Sequence, residues 1–171
     1  MNEISAKEFL NKMNNIENYS IEIALQIVKE EEEYITNYNK SQLFFDGKQS
    51  DGKHIQSVYG TQKGLYSKAT AKENSKVTFE LFGRSKKKTA GKPYFLLQSG
   101  EFYNSFKIKI DKDSFAITAN TLKEDEEGGL VDIRYTFGKN IIGLSETNIR
   151  RLKENKIIPQ LTTDLQQNYF K

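Results

Sequence analysis

The chain has 171 residues, of which 36% are hydrophobic and 29% charged, with no cysteine, no tryptophan and one histidine. That excludes disulfides, thiol catalysis, cysteine-type zinc sites and iron–sulfur clusters, and no run of about 18 apolar residues exists to span a membrane. The net charge of +3 is too small to argue for nucleic acid by itself.

The length suits one domain over 1–171, with a helical part at 1–40, a sheet-forming part with long loops at 41–143 and a second helical part at 144–171. Met1-Asn2-Glu3-Ile4 has neither the positive start nor the apolar core of a signal peptide, so a cytoplasmic product, or one assembled there, is expected. Ser5 with Glu8 fits a capping box that opens a short helix, with Phe9, Leu10 and Met13 on its apolar side. Asn14-Asn15 and Asn18 are expected to end it. Ser20 then caps a longer helix through about Asn39, along which Ile21, Ala24, Leu25, Val28, Ile35 and Tyr38 form a stripe at helical spacing. The block Glu30-Glu31-Glu32-Glu33 falls mostly off that stripe.

Asp46-Gly47 and Asp51-Gly52 are turn signals. Around them, Leu43-Phe44-Phe45 and the stretch from Ile55 to Tyr59 read as short strands or extended segments. Residues 66–72 suit a helical turn, and Val77 to Leu81 alternates as a strand. From Gly83 to Pro93 the chain is rich in glycine and lysine, and the run is expected to form an exposed projection. Its basic residues Arg84, Lys86, Lys87, Lys88 and Lys92 are the candidates for an interface or a channel-facing loop.

Phe106, Ile108 and Ile110 alternate with Lys107, Lys109 and Asp111, and Phe115, Ile117 and Ala119 alternate with polar and small residues. That pattern is a β-hairpin with one buried face. Leu130 to Phe137 reads as a further alternating strand, turned by Gly138-Lys139-Asn140. Ser145 is expected to cap a C-terminal helix, with Leu144 and Ile149 spaced as a hydrophobic staple. Pro159 should kink that helix, because it removes a backbone donor. The sum is an α+β chain: N-terminal helices, a central antiparallel sheet with its hairpin, and a C-terminal helix kinked at a proline.

Little in the sequence points to catalysis. His54 stands beside an Asp-Gly turn and reads as a surface residue. Gly83-Arg84-Ser85-Lys86 lacks the spacing of a P-loop, Ser99-Gly100 lacks the flanks of a nucleophile elbow, and no carboxylate pair is singled out. No enzyme activity, cofactor or metal is therefore expected. The basic residues interleaved with Tyr94, Phe95, Phe102 and Tyr103 imitate a stacking surface for single strands, although core packing explains those aromatics more simply. If the basic loop met DNA, neutralising Lys86, Lys87 and Lys88 would weaken binding with a clear salt slope.

Three features in this order are similar to the phage virion-morphogenesis family, the tail-completion and neck proteins that join head to tail. A helical polar half leads into the turn-rich section 43–52. An L-x-x-[ST]-G-x-[FLY]-x-x-S motif is met by Leu96 or Leu97 with Ser99, Gly100, Phe102 and Ser105. Near the end stand Gly143, Leu144 and Ser145, followed by a helix. Within the family the chain most resembles ring or connector components of Bacteroidales phages, the crAss-like group included, except that Gly138-Lys139-Asn140 replaces an Arg-Pro-type phrase. The resemblance implies structural roles for these motif residues and no chemistry. It implies a virion component of the neck or tail, assembled in the bacterial cytoplasm. Copies of the chain, six or twelve, would close a ring around the DNA exit channel, touching portal, connector or tail proteins, with passing contact to genomic DNA and no membrane. The alternative is a soluble nucleic-acid- or ligand-binding α+β module outside any virion.

Overall fold

The computed structural model describes residues 6–57, 64–124 and 128–169. Helix α1 runs unbroken from Ala6 to Glu30, so Asn14, Asn15 and Asn18 do not end it and Ser20 lies in its interior. Asparagine costs a helix only about 0.7 kcal/mol relative to alanine, and tertiary packing outweighs that. The Tyr19 hydroxyl donates to Asp164 Oδ1 at 2.5 Å, and its ring lies 4.6 Å from that of Tyr169. Ser5, the expected cap, lies outside the described residues.

The interruption comes instead at Glu31, before α2 (Glu32–Ser41). Hydrogen bonding nevertheless passes through the joint, from Glu31 N to Ile27 O and from Ile35 N to Glu31 O, both 2.9 Å. The acidic block is used here. Glu31 Oε1 accepts from Lys156 Nζ at 3.0 Å and Gln160 Nε2 at 3.1 Å, and Glu32 Oε1 accepts from the Ile108 amide at 2.8 Å. A π-helical turn, Gln42–Asp46, prolongs α2 and stops at Gly47, whose φ is +61°. Leu43-Phe44-Phe45 is therefore helical rather than extended. A short apolar run is ambiguous between buried strand and buried helix, and continuity with α2 decides it.

Ile55 is fully buried beyond an isolated bridge between Lys48 and His54; Val58 and Tyr59 lie outside the described residues. The expected turn at 66–72 is helix α3 (Lys68–Glu73), capped by the Ser67 side chain, which accepts from Thr70 N. Strands β1 (Phe79–Leu81) and β2 (Arg84–Lys86) pair antiparallel, with Phe79 opposite Lys86. Their two-residue turn, Phe82-Gly83, has both φ values positive, as the right-handed twist of a tight hairpin favours. The expected projection at Gly83 to Pro93 thus begins as a strand that folds back on the molecule.

After the short helix α4 (Glu101–Asn104), β3 (Lys107–Ile110) and β4 (Phe115–Thr118) pair as the expected hairpin, with Ile108 opposite Ile117. The face expected to be buried is only half-buried at Ile108, Phe115 and Ile117 and is exposed at Ile110. Strand β5 (Leu122–Glu124) pairs with β6 (Leu130–Asp132). The chain then turns into helix α5 (Ile133–Phe137) where a longer strand was expected, because the Asp132 carboxylate caps it by accepting from Arg134 N at 2.9 Å. The Arg134 guanidinium, hydrogen-bonded to Asp132, holds that carboxyl well below the usual range. Among the described residues the strands form three separate antiparallel pairs rather than one continuous sheet.

A 3₁₀ turn, Lys139–Ile141, leads to α6 (Glu146–Leu152), a π-helical turn Lys153–Ile157, α7 (Ile158–Asp164) and a last π-helical turn Leu165–Tyr169. Pro159 stands in the first turn of α7, where its missing donor costs least, so the bend falls just before it. Ser145 occupies the N-cap position of α6 without a side-chain cap bond. Leu144 is buried with Val28, Ile35 and Leu152, whereas Ile149 is 46% exposed rather than stapled. The larger core gathers Leu43, Phe44, Ile55, Phe95, Tyr103 and Ile141 from five segments.

Candidate functional site

The basic run does not stay together. Alternation along β2 and just past it turns Arg84, Lys86 and Lys88 toward aromatic rings, Arg84 staying exposed. The Arg84 guanidinium lies 4.3 Å from the Phe45 ring centroid. Lys86 Nζ lies 5.0 Å from that of Phe95, and Lys88 Nζ lies 4.5 Å from that of Phe79. Lys86 also donates to the Phe44 carbonyl at 2.8 Å and the Phe45 carbonyl at 3.3 Å. It thereby closes the C-terminal end of the π-helical turn, where a cation complements the helix dipole. Burial lowers the pKa of Lys86, and burial with the charge of Lys123 lowers that of Lys88. Lys88 hydrogen-bonds Gln98 Oε1. Lys87 and Lys92 are exposed. Of the five candidate cations, three are stacked on rings and two face outward.

The resemblance residues divide in the same manner. Leu97 is buried, and Gly100 has φ +90° immediately before α4, a conformation that favours glycine. Ser99 is exposed, its Oγ accepting from Glu101 N at 3.4 Å. Phe102 is half-buried against the core. The Ser105 hydroxyl donates to Phe102 O and accepts from Asn120 N, both 2.8 Å, tying α4 to the segment after β4. Gly143, Leu144 and Ser145 are held by two buried amides. Asn39 Oδ1 accepts from Gly143 N at 2.7 Å, Gln42 Nε2 donates to Gly143 O at 3.2 Å, and Gln42 Oε1 accepts from Ser145 N at 2.8 Å and Asn148 Nδ2 at 3.0 Å. Their separation in sequence, about a hundred positions, left no signal of this clasp. Buried amides satisfied this completely fix the register between α2 and the C-terminal part.

Beside the basic strand lies an open groove of about 260 Å³, lined by Ser57, Tyr66, Thr70, Tyr94 to Gln98, Ile133 and Phe137, with Lys88 and Lys123. The Tyr66 hydroxyl donates to Phe95 O at 2.8 Å and accepts from Phe95 N at 3.0 Å, and burial is the first cause that pushes its pKa up to about 12. Among the described residues no group of three His, Cys, Asp or Glu side chains could hold a metal ion. His54 is exposed, with Nδ1 3.4 Å from the Gly47 carbonyl.

Among the described residues, Tyr135 at 77% and Leu130 at 72% are the most exposed large apolar side chains, and with Leu122 at 52% they stand on and beside the β5–β6 ribbon, while Leu10 on α1 is 61% exposed. Sequence alternation placed Leu130 and Tyr135 in a strand but could not say which face would lack a neighbour. Among the described residues no helix is long and apolar enough to cross a membrane. Compared with known proteins, the chain matches no family model, no curated protein and no solved structure.

Proposed function

We propose that the chain is a non-enzymatic structural component of a phage virion, a head–tail connector, neck or tail-completion protein whose copies close a ring around the DNA exit channel. The observation that carries the reading is the β5–β6 ribbon. A two-stranded ribbon with exposed apolar side chains is marginal alone in water, and apolar residues clustered on a surface mark contact sites. A head-to-tail contact between copies, with strand edges adding to a neighbour's ribbon, would cover them and close a ring if its rotation closes. The burial of Leu97 and the clasp on Gly143 and Ser145 agree with structural roles for the motif residues. Lys87 and Lys92, the two outward cations, are the residues left for passing contact with DNA.

The test is the mass of the purified protein in solution, by light scattering and native mass spectrometry, together with its presence in purified virions. A closed oligomer of six or twelve copies is expected. A protein that stays monomeric and is missing from virions sinks the proposal. The second reading, a ligand-binding module, is favoured by the aromatic-lined groove.

A further inference from the structure

The groove between residues 94–98 and α5 combines an apolar wall with two cations. Tyr94, Ile133 and Phe137 supply apolar wall, and Lys88 and Lys123 line the same space. Among the described residues neither ammonium forms an ion pair, and the hydrogen-bond partner of Lys88 is the neutral amide of Gln98. Lys88 is half-buried, and the charge of Lys123 is felt there. Two like charges beside apolar walls repel each other more than they would in open water. They also focus a positive field that draws an anion. A carboxylate between them would relieve the repulsion through charge-assisted hydrogen bonds, the strong kind.

We infer that this groove binds a small apolar carboxylate, an aryl- or alkyl-chain acid whose body lies on Tyr94, Ile133 and Phe137 and whose carboxylate bridges Lys88 and Lys123. Size restricts the ligand. At about 260 Å³ the space falls just below the roughly 300–1,000 Å³ of ordinary small-molecule sites, which suits a phenylalkanoate and not a nucleotide. The site needs no second copy of the chain, so it stands apart from ring assembly.

Calorimetric titration of the full chain at low salt with 4-phenylbutanoate and with 4-phenylbutan-1-ol tests the inference. The acid should bind at least about tenfold tighter than the alcohol, the value of one charged hydrogen-bond partner. K123Q, a change at an exposed side chain, and K88Q should each weaken the acid by about tenfold while leaving the alcohol alone. Thermal melts show that each variant is folded, and K123Q carries the test if K88Q is not. Equal affinity for acid and alcohol overturns the inference, as does undiminished acid binding by K123Q or no binding at millimolar acid. The oligomeric state is read separately by mass, so failure here and failure of the ring proposal are distinguishable.

Discussion

Lys86 and Lys87 are neighbours of the same type with opposite fates. Lys86 Nζ reaches two carbonyls at the end of the π-helical turn and sits over the Phe95 ring, whereas Lys87 points to solvent. Removing a donor from carbonyls sheltered by aromatic rings leaves them unsatisfied, at a cost of about 1–3 kcal/mol. Lys86→Met should therefore lower unfolding free energy by about that amount in a urea titration, while Lys87→Met leaves the midpoint in place. Equal responses would mean that Lys86 contributes no more than a surface charge. The alternation Arg84, Lys86, Lys88 was visible in the sequence and carried the correct period for this inward face. Charge density along 84–92 argued for a projecting loop instead, because the rings that receive these cations come from residues 44, 45, 79 and 95. Long-range cation–π pairing leaves no local trace.

At the scale of elements, helix ends decide most of the differences between expectation and structure. Asp46-Gly47 was legible as a stop, and the chain does turn there, but what it ends is a helix prolonged by a π-helical turn. Gly47 has φ +61°, and a Cβ placed on it would lie 2.8 Å from both the Pro93 Cβ and the Tyr94 carbonyl oxygen. Gly52, with φ +77°, has open space around it. A left-handed conformation costs a non-glycine residue about 1–2 kcal/mol, and at Gly47 the contact with backbone adds to that. Gly47→Ala should lower the melting temperature clearly more than Gly52→Ala. Similar shifts would show that the chain at Pro93 yields without cost. Helix α1 teaches the complementary lesson. Three asparagines looked like a stop, yet the residues that hold this helix in place, Asp164 and Tyr169, lie at the far end of the sequence. Strand β6 changes into α5 at Asp132, a cap residue that an alternating reading of Leu130 to Phe137 passed over.

For the molecule as a whole, the order of periodicities was enough to read an α+β class, while strand pairing, being non-local, was not. Among the described residues the strands pair two by two, and the β5–β6 ribbon keeps Leu122, Leu130 and Val131 at least 42% exposed with Tyr135 beside them. Such side chains contribute little to the stability of one copy, because they bury little area within it. If they are the ring contact, their loss must act on assembly alone. Melted at a concentration dilute enough for the parent to be monomeric, L130S/Y135S should stay within a degree or two of it, since exposed substitutions stay within about 0.5 kcal/mol and assembly no longer adds to the parent's stability. At high concentration it should shift the solution mass to that of a monomer. K87Q/K92Q, altering the exposed cations in the segment after β2, should leave the mass unchanged and only reduce DNA retention at low salt. A ring that survives L130S/Y135S would move the contact to another surface, and a collapse in melting temperature would mean that the ribbon is held by its own monomer after all.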